Sequence, residues 1–293
     1  VEARARHEVV LSAGALGSPH LLMLSGIGAG DDLRQHGIEV VANSPGVGRN
    51  LQDHLQARPV FKTTGSTINS ETRHPLQYVG IAMQYALKRS GPMAMAASLG
   101  TAFLKTRPEL ATPDIQFHIQ PFSADKPGDG MHPFSAFTAS VLQLRPESAG
   151  HLALKSSSPD DHIVIHPNYL ATKTDCDTIV AGIKVARAVS AAEPVASMIT
   201  EEFSPGPGVA ENDDEAILDW ARNTSTTIYH PTGTCKMGRD PMAVVDERLH
   251  VHGIDGLRVA DASIMPVITS GNTNAPAIMI GEKASNMILD DTP

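Results

Sequence analysis

Apolar positions near the start of the chain form a short β-branched run followed by a helical pattern. Residues 8–12 are mostly apolar and precede Gly14, so they predict a buried strand that enters a loop. A short helix is expected next, because Ser18 suits the N-cap, Pro19 suits the first helical position and Gly26 suits a left-handed end. The pattern therefore predicts a tight strand, loop and helix unit.

The middle of the chain changes to alternating strands mixed with longer helices. A strand at 38–42 is followed by a glycine-punctuated polar loop at 45–54, of a kind that often holds ligands. From about residue 59 the pattern predicts a separate α+β layer. Its expected strands are 140–144, 151–154 and 162–166, its expected helices are 75–89, 174–192 and 212–222, and its most mobile loop is 123–133.

Beyond residue 226 the chain returns to short strands and glycine turns, and it ends in a predicted helix at about 274–289. The predicted fold class is therefore α/β plus α+β. The domain boundaries expected from these changes of pattern are 1–58, 59–225 and 226–293.

Composition narrows the function classes. The 293 residues are 41% hydrophobic, enough for a substantial core, and the net charge of −9 with both signs interspersed argues against a nucleic-acid partner. No apolar stretch approaches the roughly 20 residues of a transmembrane segment. Cys176 and Cys235 are expected to be free thiols in a reducing, cytoplasmic compartment, with the periphery of the inner membrane as a further location.

The strongest candidate for chemistry is the segment 223–238. It places His230 among small hydroxyl residues, before a proline that fixes the backbone and two glycines that permit a tight turn. A neutral imidazole can accept a proton near physiological pH. A satisfied structural histidine is the alternative interpretation of this segment by itself.

Two further segments could contact an electron-rich ligand. In 271–276 two asparagines precede the terminal helix, whose N-terminus suits an anionic ring, although helix capping by Asn274 explains the same pattern. The strand at 256–263 ends near Asp261, where ligands of α/β sheets commonly lie. A plain turn explains that end equally well.

Other patterns favour structural interpretations. Gly26, Gly28 and Gly30 follow a helix rather than a strand, so they predict a C-cap and turn and not a dinucleotide-binding loop. His250 and His252 share one face of an alternating segment, which predicts a surface strand. No nearby carboxylate or thiol completes a metal site there, and no metal is predicted.

Five blocks of the chain together resemble the glucose-methanol-choline (GMC) oxidoreductases. They are residues 14–28, 45–54, 229–238, 257–266 and 271–283. The resemblance implies FAD-dependent oxidation of a primary or secondary alcohol to an aldehyde or ketone. It further implies that 1–58 and 226–293 belong to a Rossmann-like FAD-binding domain, and that 59–225 is an antiparallel-sheet substrate domain.

The resemblance also implies the site residues. His230 matches the base that takes the hydroxyl proton, and Asn272 matches the partner that holds the developing alkoxide by hydrogen bonds. The implied cofactor contacts are Asp261 and Ala262 at the phosphate and ribityl portion of FAD, and Thr273 and Asn274 beside the flavin ring.

One departure from the family pattern is large. The GMC family begins with a strand, loop and helix that carry G-x-G-x-x-G, and these 293 residues contain no such motif. We therefore expect a fragment whose partner is the missing N-terminal half of the same enzyme. A flavin-containing lyase on the same scaffold and a non-catalytic remnant unable to bind FAD are the alternative functions.

The substrate and the electron acceptor are open at the level of sequence. A choline site needs an aromatic or acidic cage, and a chain with one Trp and four Tyr offers no marked cluster of this kind. An uncharged aliphatic alcohol is therefore preferred as the small-molecule substrate. The resemblance favours a dehydrogenase and leaves oxygen, a quinone or another acceptor as alternatives.

Overall fold

The computed structural model describes residues 4–96, 98–126 and 128–291, which combine helices with parallel and antiparallel strands. The helices are α1 (Gly14–Leu24), α2 (Gly30–Gln35), α3 (Ile68–Glu71), α4 (Pro75–Lys88), α5 (Lys173–Ser190), α6 (Asp214–Thr224) and α7 (Asn274–Asp291). The strands are β1 (Val9–Leu11), β2 (Ile27–Gly28), β3 (Ala42–Asn43), β4 (Leu55–Ala57), β5 (Val60–Thr63), β6 (Gly100–Leu104), β7 (Ile115–Gln120), β8 (Ala136–Gln143), β9 (His151–Ala153), β10 (Val164–His166), β11 (Ile199–Ser204), β12 (Thr226–Thr227) and β13 (Leu257–Val259). The mixed α and β content that the sequence predicts is confirmed.

The first of two compact units comprises Val1–His54, Arg145–Ala171 and Tyr229–Pro293. Strand β1 pairs with β13 in parallel, β2 pairs with β3 in parallel, and β9 and β10 are antiparallel. Apolar side chains from α1, α2, β9 and β13 form one buried core, which includes Leu22, Leu33, Leu152, Val244 and Val259. Burial of this core stabilises a unit whose strands are individually short.

Helix α1 begins at Gly14, so the predicted cap at Ser18 and helix start at Pro19 are wrong. The hydroxyl of Ser18 instead accepts a hydrogen bond from the N–H of Ala13 (3.0 Å) and donates one to the carboxylate of Asp261 (2.5 Å). The side chain of Ser18, which the local pattern assigned to a helix cap, thus bonds to a residue 243 positions away in the sequence. Gly26 has a φ of +81° after the helix, as the sequence predicts.

The second unit comprises Leu55–Leu144 and Thr172–Ile228 and is built on an antiparallel sheet. Strand β8 pairs with β7 along one edge and with β4 and β5 along the other. Strand β6 continues the sheet beyond β7, β11 continues it beyond β5, and β12 continues it beyond β4. The antiparallel sheet expected for the middle of the chain is therefore present.

Helix α5 packs on one face of this sheet. Its buried side includes Ile183, and Gly182 lies so close to the sheet that a Cβ there would be 2.8 Å from Cγ2 of Val141. The glycine therefore allows the close approach of helix and strand. The helix begins one residue earlier and ends two residues earlier than the 174–192 predicted from apolar spacing.

Two predicted strands are wrong or much shortened. The strand expected at 38–42 is reduced to β3, because the N–H of Ile38 bonds to the carbonyl of Leu33 and the N–H of Val41 bonds to that of Gly26. The strand expected around His250 and His252 consists of isolated bridges. Their rings have separate partners, since His250 contacts Asp246 and His252 contacts the carbonyl of Gly238.

The segment 145–171 belongs to the first unit, whereas the sequence pattern groups it with 59–225. Gly150 pairs with Leu51, and the N–H of Leu152 bonds to the carbonyl of Gly48 at 2.7 Å. The functions of the two units stay predictions.

Of the helices in the described part of the chain, none combines the length and the hydropathy needed to span a membrane.

The loop predicted to be mobile, 123–133, is tied to α3 near both ends. The side chain of Asn69 donates to the carbonyl of Ser123 at 2.9 Å and to that of His132 at 3.0 Å. Pro127, in the middle of this loop, lies outside the described residues. The mobility of the loop stays a prediction.

Candidate active site

The polar loop 45–54 anchors the two segments that carry the predicted catalytic residues. Asn50 donates from its side-chain amide to the carbonyls of Gly233 (3.2 Å) and Pro266 (3.1 Å). The side chain of Gln52 also donates to Pro266 (3.1 Å) and accepts from the N–H of Ile268 (3.2 Å). The segments that contain Gly233 and Pro266 are far apart in the sequence. Hydrogen bonds to the same loop hold them next to each other.

Gly233 is required where the segment that carries His230 meets this loop. Its φ is +87°, and a Cβ at this position would lie 2.5 Å from the carbonyl oxygen of Asn50. A side chain would therefore meet backbone atoms in a conformation that L-residues rarely adopt.

Asp53 holds the backbone at His230. One carboxylate oxygen accepts hydrogen bonds from the N–H groups of His54 and His230, each at 2.9 Å, and the other accepts from the hydroxyl of Tyr169 at 2.5 Å. Asp53 is buried, with 7% of its surface exposed. These donors offset the cost of burying the carboxylate. Asp53 therefore links its own loop to Tyr169 and to His230, which are distant in the sequence.

His54 and His230 form a buried pair of imidazoles. Their Nδ1 atoms lie 3.0 Å apart, and their rings meet edge to face with centroids 5.2 Å apart. Because two ring nitrogens can share a hydrogen bond only when one donates, the pair fixes the tautomer of one ring relative to the other.

The predicted pair His230 and Asn272 is brought together by the fold. The side-chain nitrogen of Asn272 lies 3.3 Å from Nε2 of His230. Since the amide nitrogen can only donate, Nε2 is the acceptor, and a neutral His230 then carries its proton on Nδ1, where it donates to His54. His230 is buried, whereas Asn272 is exposed.

Burial is the main reason that the pKa of His230 is lowered to about 4, and the neighbouring His54 lowers it further. The carboxylate of Asp53 acts in the opposite direction but does not compensate. His230 is therefore a neutral imidazole near physiological pH. Its Nε2 lone pair, which accepts from the Asn272 amide here, can take a proton from a hydroxyl group that displaces that donor.

The predicted cofactor contacts lie in two places. The carboxylate of Asp261 is buried and accepts from the N–H groups of Gly14 (2.9 Å) and Ser263 (2.8 Å), in addition to the Ser18 hydroxyl. Its oxygens therefore serve the fold, and a short 3₁₀ turn begins at Ala262. Any contact of Asp261 with a cofactor would therefore fall to its backbone groups.

Thr273 and Asn274 lie at the start of α7, directly after Asn272. The carbonyl of Thr273 accepts from the N–H of Ala277 and so begins the helix, while the side chain of Asn274 is exposed. The first N–H groups of an α-helix lack carbonyl partners within the helix and carry partial positive charge. A Cβ added at Gly271 would meet no atom within 4 Å, so there is room on that side of the residue. This end of α7 therefore fits an electron-rich ring.

Three residues of the site escape the sequence-based prediction of function: Asp53, His54 and Tyr169. The first two lie in the polar loop 45–54, which the sequence marks as a candidate ligand loop and as a block of the family resemblance but to which it assigns no role at His230. Their contacts with His230 span 177 and 176 residues. No short-range pattern in the sequence marks such contacts.

Comparisons with known proteins support the prediction from sequence. Two family models described as GMC oxidoreductase match residues 2–56 and 146–281. An alcohol dehydrogenase [acceptor] of Pseudomonas putida is 43% identical over 289 residues, which are 96% of this chain and 51% of that protein. The mitochondrial choline dehydrogenase of Mus musculus is also 43% identical, over 96% of this chain and 47% of its own length. The chain thus spans about half the length of these curated relatives.

Solved structures show the same relationship. A formate oxidase of Aspergillus oryzae, from work on its FAD modification, superposes with a TM-score of 0.90 at 28% identity, over 98% of this chain and 55% of that one. A pyridoxine 4-oxidase from Mesorbium loti gives a TM-score of 0.82 at 28% identity, over 98% of this chain and 52% of that one. FAD is the cofactor that these comparisons support, and that prediction is confirmed.

Proposed function

Because the chain belongs to the glucose-methanol-choline family of oxidoreductases, we propose that it carries out FAD-dependent oxidation of an alcohol to an aldehyde or ketone, with His230 as the catalytic base. The observation that carries this proposal is the 3.3 Å approach of the Asn272 amide to Nε2 of a buried, neutral His230. A substrate hydroxyl group that replaces this direct contact would meet one acceptor, Nε2 of His230, and one donor, the amide of Asn272.

The two side chains have complementary roles. Nε2 of His230 takes the hydroxyl proton, and the amide of Asn272 donates a hydrogen bond to the alkoxide oxygen that develops. The Nδ1 contact with His54 keeps Nε2 unprotonated beforehand, and Asp53 holds the backbone of His230 in place. Both supporting residues therefore position the base.

FAD, when bound, supplies the acceptor for the hydride that leaves the alcohol carbon. Thr273 and Asn274 would hold the flavin ring at the start of α7, where the helix N-terminus stabilises negative charge. Asp261 and Ala262 would hold the phosphate and ribityl portion through backbone N–H groups. An uncharged aliphatic alcohol is the proposed substrate, because the sequence contains no marked acidic and aromatic cluster for a quaternary ammonium group.

The test measures the reduction of flavin by a primary aliphatic alcohol in the absence of oxygen. The loss of the visible flavin absorbance gives the rate of reduction. One sample is the 293-residue chain with excess FAD. The other is a chimaera in which this chain replaces the matching part of the Pseudomonas putida relative and the relative supplies the rest of its own sequence. His230→Ala is expected to slow reduction by about 100-fold or more, and Asn272→Ala by a smaller factor. His252→Ala, at an exposed imidazole, is the matched control.

A rate for His230→Ala equal to that of His252→Ala would refute the role of His230. An unchanged rate for Asn272→Ala would show that the pair is wrongly assigned. Flavin that binds but is not reduced by any alcohol would refute the oxidation itself.

A further inference from the structure

A cavity of about 280 Å³ lies within the first unit, between helix α2 and strand β9. Its floor is apolar, because Leu33, Val47 and Leu152 line it and belong to the buried core of this unit. An apolar cavity of about 150 Å³ can hold a molecule of benzene. This cavity therefore has room for a small organic ligand with an apolar part.

Nitrogen donors predominate among the polar side chains of the cavity. Gln35, His36, Arg49 and His151 line it, together with one carboxylate, that of Asp32. A guanidinium group presents its N–H donors in a planar fork that matches a carboxylate. The polar part of the cavity therefore favours a ligand with an anionic group.

The guanidinium of Arg49 has one weak partner in the cavity. Its Nη2 lies 3.3 Å from a carboxylate oxygen of Asp32, and 43 and 60% of the two side chains are exposed. A single exposed ion pair contributes little to stability. A ligand carboxylate can therefore compete with Asp32 for Arg49.

The imidazole of His151 stacks on that of His166, with ring centroids 4.5 Å apart and an angle of 23° between the planes. Burial lowers the pKa of His151, and Arg49 and His166 lower it further, whereas Asp32 raises it. His36 adds a second imidazole to the cavity. An anion beside His151 would favour its charged form, so that the ring takes up a proton when the anion binds.

We propose that this cavity binds a small monocarboxylate with an apolar chain. The carboxylate would lie between Arg49 and His151, and the chain would lie against the apolar floor. Asp32 disfavours a ligand of higher negative charge, such as inorganic phosphate. An apolar pocket with a few convergent polar groups is the usual form of a small-molecule site. None of the described residues that line the cavity is assigned to the oxidation, so the proposal is independent of that function.

Isothermal titration calorimetry with hexanoate tests the proposal, on the 293-residue chain and on the same chimaera as above. Hexanamide has the same chain without the charge, and it is expected to bind about tenfold more weakly or less tightly still. Inorganic phosphate is also expected to bind more weakly than hexanoate. Equal affinities for hexanoate and hexanamide, or hexanoate binding that is absent from the chimaera, would refute the proposal.

Two variants are expected to change the affinity in opposite directions. Arg49→Gln should weaken hexanoate binding by about tenfold or more, because a charged donor is lost. Asp32→Asn should strengthen it by about twofold to fivefold, because the competing carboxylate is removed. The matched control is Arg239→Gln, at an exposed arginine paired with Glu247. An unchanged affinity in Arg49→Gln, or an equal loss in the control, would overturn the assignment.

Proton uptake reports on His151 directly. Titrations in two buffers of different ionisation enthalpy should show net uptake of protons with hexanoate, and affinity should rise from about pH 8 to about pH 6. Both effects should be lost in His151→Gln and kept in His252→Gln, at an exposed imidazole. Uptake that persists in His151→Gln would contradict the placement of the carboxylate. A loss of hexanoate binding in His230→Gln would place the ligand at the candidate active site and refute the proposal.

Discussion

Nδ1 of His54 lies 3.0 Å from Nδ1 of His230, and both rings are buried, with 0 and 8% of their surfaces exposed. The two imidazoles therefore cannot both be protonated at low cost, and burial already disfavours the charged form of His230. His54 thus acts on His230 in two ways. It fixes the tautomer through the shared hydrogen bond, and it lowers the pKa of His230.

Replacement of His54 is expected to raise the pKa of His230 from about 4. Gln at this position retains a hydrogen-bonding group but cannot carry a charge, so the repulsion between two imidazoles is removed while burial remains. The new pKa should stay below the ordinary value of about 6.5. An NMR titration of the His230 ring in His54→Gln measures it, with His250→Gln as the control. No change would show that burial alone sets the pKa.

The stability of the first unit should fall in acid because of His230. The folded-state pKa of His230, about 4, lies below its unfolded-state value of about 6.5, so the unfolded chain binds the proton first. The stabilising effect is complete above about pH 6.5 and is lost as the pH falls towards about 4. Urea unfolding across this range should show a smaller acid loss for His230→Gln than for His252→Gln. Parallel losses would contradict the assignment.

Removal of the Asp53 charge should destabilise the first unit. Asn at this position has one accepting oxygen and no charge, so its bonds to the two backbone N–H groups weaken, and the contact with the Tyr169 hydroxyl persists only if the Asn amide donates and the hydroxyl accepts. We expect Asp53→Asn to cost about 2 kcal/mol and Tyr169→Phe about 1 kcal/mol in the free energy of unfolding. Asp255→Asn, at an exposed aspartate, is the control in urea unfolding. A cost for Asp53→Asn no larger than the control would remove Asp53 from the site.

Gly233 and Gly253 form a matched pair that separates steric overlap from backbone strain. Both have positive φ, +87° and +78°, but an added Cβ meets the Asn50 carbonyl at 2.5 Å in one case and no atom within 4 Å in the other. Gly253→Ala should therefore cost only the conformational penalty of about 1–2 kcal/mol. Gly233→Ala should cost about 1–3 kcal/mol more, because backbone atoms must move. Equal melting temperatures for the two variants would contradict this placement.

Much of the chain's identity is encoded locally. Apolar spacing predicts the ends of α5 and α7 to within two residues. The apolar residues of an amphipathic helix repeat every three to four positions, so a short stretch of sequence is enough to recognise it. The five sequence blocks identify the GMC family and FAD, and the small hydroxyl residues, proline and glycines around His230 mark it as a candidate site residue. The family resemblance pairs Asn272 with it, and the fold places the two 3.3 Å apart.

The tertiary structure decides the contacts that have no local signature. Ser18 suits a helix cap by its sequence position, yet its hydroxyl bonds to Asp261. Asp53 and His54 stand in a loop that the sequence marks as polar and as part of the family resemblance, but their role depends on His230, 177 and 176 residues away. Hydrophobic periodicity and turn preferences act over a few residues, whereas a buried hydrogen-bond network forms wherever the packed chain brings donors to acceptors. The sequence therefore determines the family, the cofactor and the candidate base, and only the fold determines what holds that base neutral and in place.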